Sequence, residues 1–198
     1  MMLRARRCGA HLSHRQDAIS ACGTRTQRFL SLHARGRAAV QSSHDKGLAF
    51  EARVVQVLRR VGCELEPTQM SRDGGIDHIG RWRLPDTELD VVTQCKNERK
   101  PVSVQHVREF FGVLGMRASP TSLAIFLSSS GYSIYAQRFF ARSMHAAILC
   151  TIADDDCIVE FLLNDRARAA LPRLAVGSCF VDQEHQLILT YGDQVLGA

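Results

Sequence analysis

The run IDHIGRWRLPDTELDVVTQCK, residues 76–96, limits what this chain can become more than any other stretch. IDHIGRW (76–82) and ELDVVTQCK (88–96) have strand composition, and LPDT (84–87) between them is a turn signal. A chain reversing at Pro85-Asp86 forms an antiparallel hairpin that sets Asp77 across from Gln94 to Lys96. Side chains alternate along a strand, so Gln94 and Lys96 share one face and Cys95 takes the other. A carboxylate, an amide and an ammonium are thereby expected at one end of a two-stranded ribbon.

Other segments supply the rest of a fold. DKGLAFEARVVQVLRRV (45–61) reads as an amphipathic helix, with Leu48, Ala49, Ala52, Val55 and Val57/Leu58 as its apolar stripe. Asp45 can cap its start, Gly62 can end it, and Glu51 sits mid-helix. CELEPTQ (63–69) reads as a short strand and SRDGG (71–75) as a turn, where Asp73 and the glycines suit tight backbone geometry. SVQHVREFFGVLGMRA (103–118) has helical spacing at Val104, Val107, Phe110/Phe111 and Leu114, with Ser103 as a cap. TSLAIFLSSS (121–130) is a buried strand running into serines. YSIYAQRFFARSM (132–144) is a helix capped by Ser133, and AAILCTI (146–152) a further buried strand. DDDCIVEFLLNDRARAAL (154–171) is read as a helix, and 175–192 as a terminal hairpin. The order α-β-β-β-α-β-α-β gives an α/β fold, a mixed sheet flanked by helices.

Asp77 on one strand and Gln94-Cys95-Lys96 on the next suit metal-assisted phosphodiester hydrolysis. Mg2+ (or Mn2+) prefers oxygen ligands, which Asp77, Glu51 and the Cys95 backbone carbonyl can offer. An ammonium at Lys96 can orient a water or balance charge developing at phosphorus. Ser128, Ser129, Ser130 and Tyr132 precede a helix N-terminus, where a nucleic-acid phosphate could meet hydroxyls; capping alone explains the serines equally well. Lys100, with Arg81, Arg83 and Arg99, can meet a phosphate backbone or stay solvated. His78 and His106 have no partner at metal-ligand spacing and read as structural or surface residues.

Charge is segregated. Residues 1–44 hold eight arginines, no lysine and a single acid, Asp17, leaving 17 basic against 19 acidic residues in the remainder. The basic pI near 9.0 therefore belongs to the leader and says little about nucleic-acid binding by the body. An arginine-rich, nearly acid-free leader without an apolar core reads as a mitochondrial transit peptide, with a basic tail as the other reading. Seven cysteines, odd in number and without a CxxC pair, argue against a disulfide framework and a structural zinc site. No apolar run reaches the ~20 residues needed to span a bilayer.

The motifs GLAFE (47–51), DGGID (73–77), QCK (94–96), VREFFGVL (107–114) and IFLSSSGYSIYAQRFF (125–140) occur in an order that resembles the restriction-endonuclease-like superfamily, in its Mrr-type branch. With the leader, the whole is similar to a fungal mitochondrial family called required for respiratory growth protein 7. The resemblance covers about residues 46–152. It implies a metal-dependent nuclease site at Asp77, Gln94 and Lys96, supported by Glu51. The superfamily more often has Glu where Gln94 stands, although the Mrr-type branch carries Gln; the site thus holds less negative charge for a metal. The function implied is a Mg2+-dependent endonuclease acting on double-stranded DNA in the mitochondrial matrix, with a homodimer as a possible state. The alternative is a nuclease fold without turnover that binds DNA or acts as a scaffold in mitochondrial genome maintenance; RNA processing is more distant. The organisation expected is a leader over 1–44, a nuclease core over 45–152, and a C-terminal annex of helix plus hairpin over 153–198.

Overall fold

The structure, a computed structural model, describes residues 42–68, 75–117, 119, 121–181 and 184–197. The leader before residue 42 and the turn residue Asp73 lie outside the described residues.

Helix α1 (Ser43–Arg60) leads to β1 (Cys63–Pro67), β2 (His78–Leu84) and β3 (Thr87–Lys96). Then come α2 (Val104–Arg117), β4 (Leu123–Ser128), α3 (Ile134–Ala141), β5 (Ala147–Ile152) and β6 (Ile158–Leu163). The chain continues through α4 (Asp165–Ala170), β7 (Leu174–Val181), β8 (Glu184–Tyr191) and β9 (Gln194–Val195). β1 to β6 form one sheet in sequence order, and β7 to β9 a second. β3-β4 and β4-β5 pair in parallel, and every other neighbouring pair is antiparallel. This is the mixed sheet flanked by helices that the segment order implies.

Alternation along the central strands makes two cores. Val91, Cys95, Leu123, Ile125, Leu127, Ile148 and Cys150 pack on α1 and on Leu189 and Tyr191 of β8. Val92, Ala124, Phe126 and Leu149 face α2 and α3. Trp82 is buried in the first core, its indole N–H donating to the Val61 carbonyl at 2.8 Å, with Phe161 edge-on at 6.3 Å. In the second core Phe126 lies edge-on to Phe110 at 5.4 Å and to Tyr132 at 6.0 Å. Each such ring pair contributes about 0.5–1.5 kcal/mol beyond area burial.

Two expectations need correction. The buried face of α1 is Phe50, Val54, Val57 and Leu58, whereas Leu48, Ala49 and Ala52 are exposed. The larger side chains, spaced four, three and one apart, outweigh the alanines that defined the expected stripe. The helix also starts earlier: Ser42 is the N-cap, and Asp45 completes a capping box by accepting from the Ser42 N–H. Gly62, at φ +86°, follows the helix as expected.

The second correction concerns 154–171. Residues 158–163 are strand β6, hydrogen-bonded to β5, and only 165–170 are helical. IVEFLL is rich in β-branched and aromatic residues, and a turn with Asp156 at φ 65° folds it back onto β5. Arg53 of α1 secures that turn, donating to Asp156 at 2.7 Å and to the Ala153 carbonyl at 2.5 Å. Buried Asn164 then breaks the strand and caps α4 through the Ala167 N–H at 2.9 Å. The central sheet consequently continues past residue 152.

Candidate active site

The β2-β3 hairpin has an unbroken register from Leu84↔Thr87 to His78↔Thr93, centred on Pro85-Asp86. Just before the ladder, the Asp77 N–H donates at 2.9 Å to the carbonyl of Thr93, the residue already paired with His78, so the chain is held against β3 but leaves the register there. This holds the Asp77 carboxylate beside β3, where Oδ2 accepts the Cys95 N–H at 2.6 Å. A charge-assisted bond of that length fixes the carboxylate's orientation.

Lys96 ends β3, and Glu51 of α1 meets it and Asp77 across an open cleft of about 460 Å³, which Cys95, His44, Asn97 and Glu98 also line. Glu51 senses the charge on Asp77. Burial pushes the Asp77 carboxyl up, opposed by the Cys95 N–H and the Lys96 ammonium. Partial burial raises Glu51 too, and the Asp77 charge adds to it, against His44 and Lys96. A cation between them would reverse that penalty.

The Cys95 carbonyl follows from strand geometry. Lys96 O accepts from the Ser129 N–H at 3.2 Å, so Lys96 presents its backbone groups to β4. Adjacent strand residues alternate edges, so Cys95 turns N–H and carbonyl toward the Asp77 side. Its thiol is buried in the α1 core, as alternation requires. His78, next to Asp77, is buried with Nδ1 3.0 Å from Thr93 Oγ1, a structural role.

Gln94 is placed differently from the expectation that grouped it with Asp77 and Lys96. It is buried, does not line the cleft, and packs its amide on Gly75, where an added Cβ would lie 2.8 Å from Nε2. Its Oε1 is buried and has no hydrogen-bond partner among the described residues. Lys96 is on the same strand face, but it is the terminal residue and lines the cleft from there.

The donor set fits a hard divalent cation. Two carboxylates and a backbone carbonyl are oxygen donors, while the buried Gln94 Oε1, on an amide packed against Gly75, is a neutral oxygen without a hydrogen-bond partner among the described residues. Among the described residues no three His, Cys, Asp or Glu side chains cluster to hold a metal.

The serine loop is internally engaged. Ser129 Oγ donates to Asn97 Oδ1 at 2.9 Å, and Ser130 Oγ donates to the Lys100 carbonyl at 2.7 Å. These hydroxyls brace the loop after β3, while the Lys100 side chain is exposed. Tyr132, expected at a nucleic-acid surface, is a correction: it is buried, and its hydroxyl donates to the Phe126 carbonyl at 2.6 Å. Its ring belongs to the second core, out of reach of a phosphate. Arg81 and Arg83 are engaged with Glu88 and Glu64 in exposed ion pairs.

Asn97 is a residue that the sequence reading missed. Its Nδ2 donates to the Lys46 carbonyl of α1 at 2.9 Å while Oδ1 receives Ser129. One amide thus joins the helix bearing Glu51, the end of the strand bearing Lys96, and the loop after β4. Its position directly after QCK was the available signal.

Residues 44–156 match the family described as restriction endonuclease and defined on the Mrr catalytic domain. A mitochondrial protein of Schizosaccharomyces pombe, the uncharacterised C824.03c, is 27% identical over 137 residues, covering 66% of this chain and 55% of its own. The chain thus spans little more than half the length of that relative. Two solved structures are similar over half of the chain. MspJI restriction endonuclease in complex with a 27-mer oligonucleotide is 22% identical, with TM-score 0.42, over 52% of this chain and 25% of its own. The DNA modification-dependent restriction endonuclease AspBHI is 24% identical, with TM-score 0.43, over 51% and 27%.

Proposed function

This chain belongs to the restriction endonuclease family of Mrr catalytic domains, and we propose that its cleft hydrolyses phosphodiester bonds in double-stranded DNA, with Mg2+ (or Mn2+) as cofactor. The observation that carries this reading is the meeting of Asp77, Glu51 and Lys96 in one open cleft, with Asp77 oriented by the Cys95 N–H at 2.6 Å.

Asp77, Glu51 and the Cys95 carbonyl would hold the metal, which supplies Lewis-acid polarisation of the phosphate and a water of lowered pKa. Lys96 places its ammonium where negative charge grows on the phosphoryl oxygens and orients the attacking water. Gln94 acts from behind the cleft, its amide packed against Gly75, two residues before Asp77. Asn97 keeps Glu51 and Lys96 in register. Ser129, Ser130 and Lys100 shape the loop that borders the cleft.

The slightly acidic body leaves DNA contact to local groups rather than to net charge. The acid-poor leader and the mitochondrial designation of the fission-yeast relative support action in the mitochondrion. They also support the narrower likeness to the required for respiratory growth protein 7 family.

The full chain incubated with supercoiled plasmid and Mg2+ or Mn2+, beside Asp77→Ala and Lys96→Ala, tests the reading. Nicking by wild type and by neither variant supports it; equal nicking by all three removes the site assignment. One observation favours a second reading, a DNA-binding protein without turnover: Gln94 is neutral and stands off the cleft wall. Retarded DNA with no cleavage under either metal would establish that reading instead.

A further inference from the structure

Exposed apolar side chains scattered singly over a surface need no explanation. Ile134 and Tyr135 are not scattered. They are neighbours at the start of α3, 54% and 66% exposed, and among the described residues no other two large exposed hydrophobics are adjacent in sequence. Helical spacing puts exposed Arg138 on the same face, four residues from Ile134 and three from Tyr135, while Ala136 and Phe140 turn into the core. The helix, IYAQRFFA, contains no acidic residue.

This patch is continuous with the cleft. The segments that leave β3 and β4 run side by side from Lys96 to the start of α3. Ser129 Oγ donates to Asn97 Oδ1 at 2.9 Å, and Ser130 Oγ to the Lys100 carbonyl at 2.7 Å. Beyond them the Val102 N–H donates to Gly131 O at 2.9 Å and the Ser133 N–H to Val102 O at 3.0 Å. Exposed Arg99 and Lys100 lie on that path, between the cleft residue Lys96 and α3. The four residues from Lys96 to Lys100 span at most about 14 Å, roughly the rise of four nucleotides along one strand. Acids on the flanks are already engaged. Glu98 faces His106 Nδ1 at 3.8 Å, and Glu160 accepts from Thr151 at 2.8 Å and from Gln137 at 3.2 Å.

Cations that track a phosphate backbone, with an aromatic ring set among them, are the arrangement that holds single-stranded nucleic acid. In an intact duplex each base is stacked and paired, and exposing its face costs unstacking energy. An open ring therefore favours a base that is already unpaired. We propose that Tyr135 stacks on an unpaired base of the DNA strand that runs from the cleft over Arg99 and Lys100, with Arg138 beside the next phosphate. Ile134 extends the platform. The preferred substrate is then a duplex with a single-stranded stretch next to the cleaved bond. A nucleic acid is the occupant because three cations surround the ring and suit a polyanion. The inference rests on the nuclease reading of the cleft and adds the form of the DNA.

Fluorescence anisotropy of the full chain in chelator, where no metal supports cleavage, tests the proposal. The probes are a blunt duplex and the same duplex with a short single-stranded tail. Wild type is expected to bind the tailed duplex at least about tenfold more tightly. Tyr135→Ala should abolish that preference with blunt-duplex binding unchanged, and Tyr135→Phe should keep it. The arginine-rich leader is common to every arm, so its charge cancels in the comparison. Equal wild-type affinity for both duplexes would overturn the proposal and leave the patch to a protein partner; a preference that survives Tyr135→Ala would also overturn it. If the alanine variant does not fold, ultraviolet cross-linking of wild type to iodouracil in the tail decides. A cross-link at Tyr135 supports the stacking, and cross-links only elsewhere refute it. Failure here is distinguishable from failure of the nuclease reading, which is decided by plasmid nicking in Asp77→Ala and Lys96→Ala.

Discussion

Strands β2 and β7 each carry a glycine in mid-strand, and the two glycines answer to different constraints. At Gly80 an added Cβ would sit 1.9 Å from the Glu64 carbonyl of β1, so the β1-β2 pairing needs a residue without a side chain. At Gly177 the nearest atom is 4.0 Å away. The β2-β3 hairpin is specified from inside, by strands on both sides and by the first core beneath Trp82 and Val91. β7 is specified inside on one edge only. A strand pinned by its neighbours can deliver a carboxylate such as Asp77 to a set position.

Substitutions can break or sharpen this contrast. The largest effect is expected at the end of β3. Lys96→Ala should lower the rate of plasmid nicking by about 10²–10³-fold, while Ser178→Ala on β7 leaves the per-site rate unchanged; comparable losses would dissolve the distinction. Next comes Gly80→Ala, which must displace β1 and should destabilise the fold by about 3 kcal/mol, read from denaturant unfolding. Gly177→Ala should move unfolding by only about 0.5–1 kcal/mol, in the stabilising direction, because alanine loses less chain entropy. A penalty at Gly177 as large as at Gly80 would mean that β7 is also fixed from within.

The smallest effect concerns the strap between the two regions. Asp86, in the β2-β3 turn, accepts the Tyr191 hydroxyl of β8 at 2.6 Å and pairs with Arg173. The Tyr191 hydroxyl and then Arg173 hold its carboxyl below the ordinary 3.8. A depressed carboxylate stabilises the fold above its unfolded pKa and loses that contribution as pH falls through the folded one. The gap in melting temperature between wild type and Asp86→Asn should stay level from neutral pH down to about 4, then close on further acidification. A gap that widened in acid would reverse the assignment.

The hairpin register was legible because Pro85-Asp86 marks its own turn and the strands on either side alternate. From it came the expectation of Asp77 across from Gln94 to Lys96, and Asp77 and Lys96 do line one cleft. Three readings failed for physical reasons. Counting alanines as apolar rotated the face of α1, since burial is decided by the larger Phe50 and Val54. IVEFLL next to DRARAA resembled one long helix until Asp156 and Asn164 are seen to bound a strand. Tyr132 carries a hydroxyl that composition cannot place, and two carbonyls within the core had already claimed it. The position of Gln94 depends on how Gly75 meets it, and Asn97 on contacts with Lys46 and Ser129; such distant contacts leave no local pattern.

The chain has one tryptophan, and it is Trp82, wedged between the end of α1 and Phe161. Its emission therefore reports on the core beneath β2, shifting to the red as that core admits water. Tyrosine and peptide signals also carry the C-terminal hairpin, so a mismatch between tryptophan and far-ultraviolet melting curves would reveal β7 and β8 detaching while the core around Trp82 stays shut.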